Sequence, residues 1–219
     1  MLAAAKRLLS NQHLYVLQQK AVGADRLRYK CLDRLALQTG EVVLDIGCGP
    51  AYYFERLGDV RYHGFDTSEI YVEHATKRWG HKGEFHCELF TEEHLTVIPP
   101  ADKILLFGLL HHLSDEYSRQ LLDLCSRALA PGGILISVDP CFEPTQGAIS
   151  RWMSANDRGE FVRTPDEFTV LGREYYGEVD GEVWGDVTRI PSSHWMMRMT
   201  APIRSPARSE QAQAGLASA

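Results

Sequence analysis

The most informative part of this chain is the stretch Val42-Val43-Leu44-Asp45-Ile46-Gly47-Cys48-Gly49-Pro50-Ala51. Its apolar residues do not alternate with polar ones, which is typical of a strand that is buried on both faces of a parallel sheet. Gly47 and Gly49 permit a sharp turn, and together with Ala51 they leave room for a ligand to approach the backbone. We therefore predict a buried strand that ends near Asp45 and leads into a ligand-binding turn.

Two kinds of nucleoside cofactor site begin with such a strand and turn. A dinucleotide site has a third glycine, which lets the next helix pack closely and place its N-terminus at the pyrophosphate. In this chain Tyr52 occupies that third position. Asp45 also favours a cationic ligand, and S-adenosylmethionine carries an ammonium and a sulfonium where a dinucleotide carries phosphates. The turn therefore indicates S-adenosylmethionine rather than a dinucleotide.

Residues 45–51 resemble the first motif of class I S-adenosylmethionine-dependent methyltransferases of the small-molecule type. Later landmarks of that family follow in order at residues 62–66, 84–90, 102–113 and 131–138. Five landmarks in sequence are far more specific than one glycine turn. The resemblance implies an α/β, Rossmann-like fold: a doubly wound, seven-stranded, mostly parallel sheet with an antiparallel last strand and helices on both faces.

The resemblance also implies which residues hold the cofactor. Asp66 ends the second strand, and its two carboxylate oxygens suit the ribose hydroxyls. Glu88 stands near the adenine, where the family more commonly has an aspartate. The implied cofactor-binding residues are Asp45, Gly47, Cys48, Gly49, Asp66, Thr67, Glu88, Leu89, Gly108 and Leu109. The alternatives are a purely structural turn with an exposed carboxylate and, for Asp66, a helix cap.

Three histidines are candidate catalytic residues. His111 and His112 follow the fourth strand, at whose carboxyl end a ligand lies in an open α/β sheet. Histidine titrates near neutrality, so either residue can accept a proton from a hydroxyl or amine acceptor. His194 is a third candidate. The alternative is that one of the pair packs under the sheet and the other caps the following helix.

Four residues are candidates for binding the acceptor. Asp139 follows the fifth strand and is either a pocket residue or a turn residue. Arg151, Arg158 and Arg163 lie in a segment that the family topology places over the active site. Guanidinium groups make paired bonds to carboxylates and phosphates, so these arginines favour an anionic acceptor. The alternative is ion pairing with acids of the same segment, Asp157, Glu160 and Asp166.

The composition sets limits on the class of protein. The 219 residues are 44% hydrophobic and 24% charged, as in an ordinary globular domain. A net charge of -6 disfavours a broad phosphate-binding surface, so a small molecule is expected as the partner and nucleic acid is not. Five cysteines without a Cys-x-x-Cys pair indicate a reducing, cytoplasmic location and no zinc site. No apolar run is long enough to predict a membrane span.

We predict one domain over residues 1–203 and a disordered tail over residues 204–219. Within the domain, residues 1–38 are expected to form two helices that cover the cofactor cleft. Later helices are predicted to start at Ser114 and at Thr164, the second with a capping box. A final hairpin is expected, with strands Val183–Ile190 and His194–Met199.

The sequence thus predicts a methyltransferase that transfers the methyl group of S-adenosylmethionine by in-line displacement to an oxygen, nitrogen or carbon of a small molecule, with no metal. Two other classes remain as alternatives. One is a noncatalytic scaffold that binds S-adenosylmethionine, and the other is an NAD-dependent oxidoreductase, against which Tyr52 counts. Acceptor pockets in this fold are built from loops, so the fold does not fix the acceptor.

Overall fold

The computed structural model describes residues 23–203 and contains a seven-stranded sheet in the order β3-β2-β1-β4-β5-β7-β6. The strands are β1 Val42–Ile46, β2 Arg61–Phe65, β3 Gly83–His86, β4 Ala101–Phe107, β5 Leu129–Pro140, β6 Tyr176–Trp184 and β7 His194–Pro202. The strands from β3 to β5 pair in parallel, whereas β7 is antiparallel to both β5 and β6. The predicted fold class is confirmed.

Within residues 23–203, five α-helices connect and cover these strands: α1 Ala24–Leu35, α2 Glu69–Trp79, α3 Asp115–Ala128, α4 Ala148–Ala155 and α5 Pro165–Arg173. Both predicted caps are present. The side chain of Ser114 accepts from the amide of Tyr117 at 3.4 Å. Thr164 and Glu167 exchange side-chain and backbone hydrogen bonds in a capping box, which satisfies amides that the first turn of a helix leaves unpaired.

The hydrophobic core lies on both faces of the sheet. All five residues of β1 are buried. Val42 and Leu44 pack in the cluster that α3 and α5 cover, whereas Val43 packs in the opposite cluster with residues of α1. Burial on both faces explains why the apolar residues of β1 do not alternate with polar ones.

The structure differs from the prediction in the first strand of the final hairpin. The strand predicted over Val183–Ile190 is wrong, because β6 ends at Trp184 and begins at Tyr176. As the outer strand of the sheet, β6 exposes glycines and acidic residues, so its sequence lacks the usual apolar signal. The first N-terminal helix and the C-terminal tail fall on residues 1–22 and 204–219, which lie outside the described residues.

The second N-terminal helix is present as α1, but it packs on a face of the sheet. Its residues Leu27, Cys31 and Leu35 are buried in the cluster that includes Ile136 of β5. In the part of the chain that the structure describes, no helix is both long and apolar enough to cross a membrane.

Candidate active site

A cleft of about 650 Å³ lies at the carboxyl ends of β1 and β2. This is the edge at which open α/β sheets bind their ligands, and the volume is in the range of small-molecule sites. Six of the ten predicted cofactor residues line it, namely Gly47, Asp66, Thr67, Glu88, Leu89 and Leu109. Of the other four, Asp45, Cys48 and Gly108 are adjacent in sequence to lining residues, and Gly49 is two residues from Gly47.

The glycine turn brings the backbone close to the cleft wall. Gly47 has a φ of +77°, and a Cβ atom there would lie 3.3 Å from Leu109 Cδ1. Gly49 has a φ of +54°, and its amide donates to Asp66 Oδ2 at 2.9 Å. Both glycines adopt left-handed backbone conformations that other residues rarely accept. The geometry of the turn therefore requires glycine at positions 47 and 49.

Asp66 connects the turn to the start of α2. Its Oδ2 accepts from Gly49, and its Oδ1 accepts from the amide of Ser68 at 2.8 Å. Asp66 therefore does not cap α2, whose N-cap residue is Ser68, but it holds the turn that leads into that helix. A carboxylate has more acceptor capacity than these two bonds use, so Asp66 on the cleft wall retains lone pairs for hydroxyl donors.

Asp45 lies beneath the turn and is completely buried. Its Oδ2 accepts from the hydroxyls of Tyr53 and Tyr62 at 2.6 and 2.7 Å, whereas Oδ1 has no hydrogen-bond partner among the described residues. Burial raises the pKa of Asp45 to about 6, although both tyrosine bonds oppose that shift. Asp45 does not line the cleft, so its contact with the cofactor stays a prediction. The two tyrosine partners had not been anticipated.

His111 is buried between two carboxylates. Its Nδ1 lies 2.8 Å from Asp139 Oδ1, and its Nε2 lies 3.1 Å from Asp157 Oδ1. Burial works against the charged imidazole, but the hydrogen bonds and the charges of both aspartates outweigh it and raise the pKa to about 9. His111 is therefore a cation at neutral pH with both nitrogens occupied. Asp139, predicted as a pocket residue, lies in β5 as its partner.

The other two histidines are neutral near pH 7. Although His112 is exposed as a whole, desolvation of its ring and the adjacent charge of His111 lower its pKa, and its ring centroid is 4.1 Å from that of His111. Burial lowers the pKa of His194 to about 4. His194 Nδ1 lies 3.1 Å from the carbonyl oxygen of Ser192, which can only accept, so Nδ1 carries the hydrogen and Nε2 keeps its lone pair.

The three predicted substrate arginines have different surroundings. Arg163 is buried and uses all five donors in internal bonds, to the carbonyls of Leu110, Leu113 and Phe161 and twice to Asp115. No donor remains for an anionic acceptor, and Asp115 is not among the predicted ion-pair partners. Arg151 and Arg158 are exposed, and their contact with an acceptor stays a prediction.

One face of α3 forms part of the cleft wall that the sequence did not indicate. The face of α3 that carries Tyr117, Leu121 and Leu124 lines the cleft. These residues recur at helical spacing, a pattern that a helix packed only on the core also shows. The structure buries Leu124 but leaves Tyr117 62% exposed. An apolar stripe alone does not distinguish a helix that faces the core from one that also borders a cleft.

The lining suits a nucleoside that carries positive charge. Four acids, Asp66, Glu88, Glu92 and Asp123, border the cleft with one base, Arg127, which pairs with Glu92 and Asp123. The rest of the wall is largely apolar and suits a planar ring. Such a lining opposes the phosphates of a dinucleotide and fits S-adenosylmethionine.

Comparison with known proteins finds methyltransferases. Residues 43–133 match the family model for a methyltransferase domain. An uncharacterized methyltransferase of Geobacillus sp. (strain WCH70) is 29% identical over 156 residues, which cover 68% of each chain. A tRNA U34 carboxymethyltransferase of Klebsiella pneumoniae is 29% identical over 115 residues, but these cover 49% of this chain and only 33% of that protein.

Solved structures share the fold at low sequence identity. The N-methyltransferase NodS from Bradyrhizobium japonicum WM9, in complex with S-adenosyl-L-homocysteine, is 19% identical with a TM-score of 0.63 and covers 92% of this chain and 98% of its own. Human N-acetylserotonin methyltransferase, in complex with S-adenosylmethionine, is 17% identical with a TM-score of 0.62 and covers 78% of this chain and 50% of its own.

The fold and the cleft define an α/β protein with a ligand-sized cleft at the carboxyl edge of its sheet. Within that class, residues 43–133 match the methyltransferase-domain model, and the described residues share the fold of solved methyltransferases such as NodS.

Proposed function

We propose that this chain transfers the methyl group of S-adenosylmethionine to an oxygen, nitrogen or carbon of a small-molecule acceptor. The observation that carries this proposal is the cleft at the ends of β1 and β2, where a glycine turn meets acidic and apolar walls. The small-molecule acceptor is supported by the net charge of -6 and by structural neighbours such as NodS and the mitomycin 7-O-methyltransferase MmcR.

We assign the cofactor to several residues of the cleft. Asp66 offers acceptor oxygens to ribose hydroxyls, and Leu89 and Leu109 offer apolar surface to the adenine. Gly47 allows the methionine part to lie close to the backbone. When bound, S-adenosylmethionine supplies a methyl group already activated by the sulfonium. The protein then has to align the acceptor with that methyl group and exclude water.

An acceptor hydroxyl or amine also needs a base. We assign this role first to His112, because it is neutral near pH 7 and exposed, and it lies between the cleft residues Leu109 and Leu113 in the chain. His194 is the second choice, because its Nε2 keeps a lone pair but its pKa of about 4 makes it a weak base. His111 positions the loop, because both of its nitrogens are occupied.

The acceptor itself can be anionic, with Arg151 and Arg158 as its contacts. A tRNA acceptor is the alternative, and the match to a tRNA carboxymethyltransferase over 33% of that protein supports it. The acidic balance of the chain opposes it. We also propose a cytoplasmic location, which the five free cysteines support.

Calorimetric titration tests cofactor binding directly. We expect micromolar binding of S-adenosylmethionine and of its demethylated product, with no binding of a nicotinamide dinucleotide. Gly49→Val should abolish the binding of S-adenosylmethionine and of its demethylated product. Gly40→Val is the matched control, because Gly40 has a φ of +83° and similar open space but lies outside the cleft. Nicotinamide binding instead would support the oxidoreductase.

Turnover separates the enzyme from a scaffold. Accumulation of S-adenosyl-L-homocysteine is measured with a panel of small phenols, amines and carboxylates and with a tRNA transcript. Turnover with a small molecule supports the proposal, and turnover with tRNA alone contradicts the acceptor class. Binding without turnover on any acceptor would favour the noncatalytic scaffold.

A further inference from the structure

Three metal-binding side chains converge on the outer edge of the sheet, apart from the residues that line the cleft. They are His63 of β2 and Glu84 and His86 of β3. His63 is directly paired with Glu84 in the sheet register, and His86 follows two residues later. Because side chains alternate along a strand, all three project from the same face.

The ligand atoms are already close together. One from each residue lies within 4.8 Å of the others, and His63 Nδ1 is 3.4 Å from Glu84 Oε2. In a tetrahedral zinc site with bonds of about 2.0–2.1 Å, neighbouring ligand atoms are about 3.4 Å apart. Glu84 has a side chain that is 71% exposed, so it can move onto a metal that enters from solvent.

The two histidines have unused nitrogens at this place. His63 Nδ1 and His86 Nε2 are buried, and neither makes a hydrogen bond among the described residues. The 3.4 Å contact of His63 with Glu84 does not satisfy its nitrogen. Buried polar atoms without a partner are uncommon, and each one calls for an explanation. A bound cation would use both nitrogen lone pairs.

The neighbouring groups fix the composition of the cluster. The ring of Phe65 stacks on His86 with centroids 4.4 Å apart, which holds the imidazole in place. His94 lies nearby, but its Nδ1 accepts from the amide of Thr91 at 3.0 Å and its Nε2 faces Glu88. The cluster is therefore two histidines and one carboxylate, with one position open to solvent.

We propose that His63, Glu84 and His86 bind a zinc ion that fastens β3 to β2. β3 has only four residues and pairs with β2 alone, so a metal that joins the two strands would stabilise an otherwise weakly held edge. The carbonyl of His86 accepts from the amide of Asp66 at 3.1 Å, so the same strand end supports the cofactor cleft. The proposal does not depend on the methyltransferase activity.

The test uses full-length protein without a histidine tag, stripped with a chelator and titrated with Zn²⁺ against a chromogenic competitor. We expect one zinc per chain at micromolar affinity or tighter. Even outer residues of zinc sites contribute tenfold to a hundredfold, so His63→Ala, His86→Ala and Glu84→Gln should each weaken binding by at least about tenfold. His81→Ala and Cys87→Ser, both at exposed positions, are the controls and should bind normally.

A second measurement covers variants that fold poorly. Zn²⁺ should raise the melting temperature of the wild type but not of Glu84→Gln, whose exposed side chain is not needed for folding. Equal zinc affinity of the wild type and Glu84→Gln would overturn the proposal. So would the absence of stoichiometric binding, or a loss of binding in Cys87→Ser.

Discussion

Asp157 Oδ1 lies 3.1 Å from Nε2 of His111, so the segment that follows α4 is fastened to the loop that follows β4. The backbone supports the same connection, because the amide of Phe161 donates to the carbonyl of His111 at 2.9 Å. Arg163 adds bonds to the carbonyls of Leu110 and Leu113. The loop after β4 is thus fastened through the buried side chain of its own His111 and through the buried guanidinium of Arg163.

Asp157→Asn should weaken this connection. The folded pKa of His111, about 9, is above its ordinary 6.5, so the stabilisation is complete below pH 6.5 and lost as the pH rises through 9. We expect the variant to be about 1 kcal/mol less stable at pH 7, since the carboxylate is partly exposed, and equal to wild type near pH 10. Denaturant unfolding measures this difference, with Glu160→Gln as the control.

The pKa of His111 provides the direct readout. NMR titration should give a lower pKa in Asp157→Asn than in the wild type. An unchanged pKa would show that Asp139 alone holds the charge.

Gly159→Ala should be strongly destabilising for a steric reason. A Cβ atom at Gly159 would lie 2.1 Å from His111 Cδ2 and 2.4 Å from the carbonyl oxygen of His111. Overpacking of this kind costs roughly 1–3 kcal/mol, or several degrees in melting temperature for a domain of this size. Gly147→Ala is the matched control, because its Cβ would meet nothing within 4 Å. Similar melting temperatures for the two variants would contradict the close contact.

Asp45 should make stability fall between pH 5 and pH 8. Burial raises its pKa from 3.8 to about 6, so the folded state binds the proton more tightly. The stabilisation is present below about pH 4 and lost as the pH rises through about 6, a change of roughly 1 kcal/mol between pH 5 and pH 8. Asp45→Asn should flatten the slope between pH 5 and pH 6.5, where His111 stays charged, whereas Asp59→Asn, at an exposed position, should keep it. Unfolding curves that retain the slope in Asp45→Asn would assign it to another group.

Asp66→Asn should lower the affinity for S-adenosylmethionine by at least about tenfold. The amide nitrogen that replaces one oxygen cannot accept a hydrogen bond from Gly49 or from a ribose hydroxyl. Glu88→Gln makes the matching change at another acidic residue that lines the cleft and should have a smaller effect. Calorimetry at constant ionic strength compares the two variants, and a larger loss in Glu88→Gln would reverse the assignment.

The part of the fold that has strong local signals could be predicted from the sequence. β1 was visible because burial on both faces demands a continuous apolar run, and the turn was visible because Gly47 and Gly49 need left-handed backbone. The start of α5 at Thr164 was visible because a capping box has a fixed spacing. In each case a local physical requirement restricts the choice of residue.

Long-range contacts could not be predicted in this way. Nothing near His111 in the sequence indicates that Asp157, 46 positions later, takes its second nitrogen. Similarly, Asp45 was predicted beside a cation, but Tyr53 and Tyr62 reach it from a turn and from a neighbouring strand. Those partners depend on how the strands and loops are arranged in space. Residue type and sequence spacing do not specify that arrangement.

The order of the last two strands has a consequence for synthesis of the chain. β6 is made before β7, yet it joins the sheet only through β7, which lies between it and β5. Until residues 194–202 have left the ribosome, β5 has an open edge and β6 has no partner. The sheet is therefore completed after translation has passed this point, and a nascent chain halted before it would present an aggregation-prone strand edge.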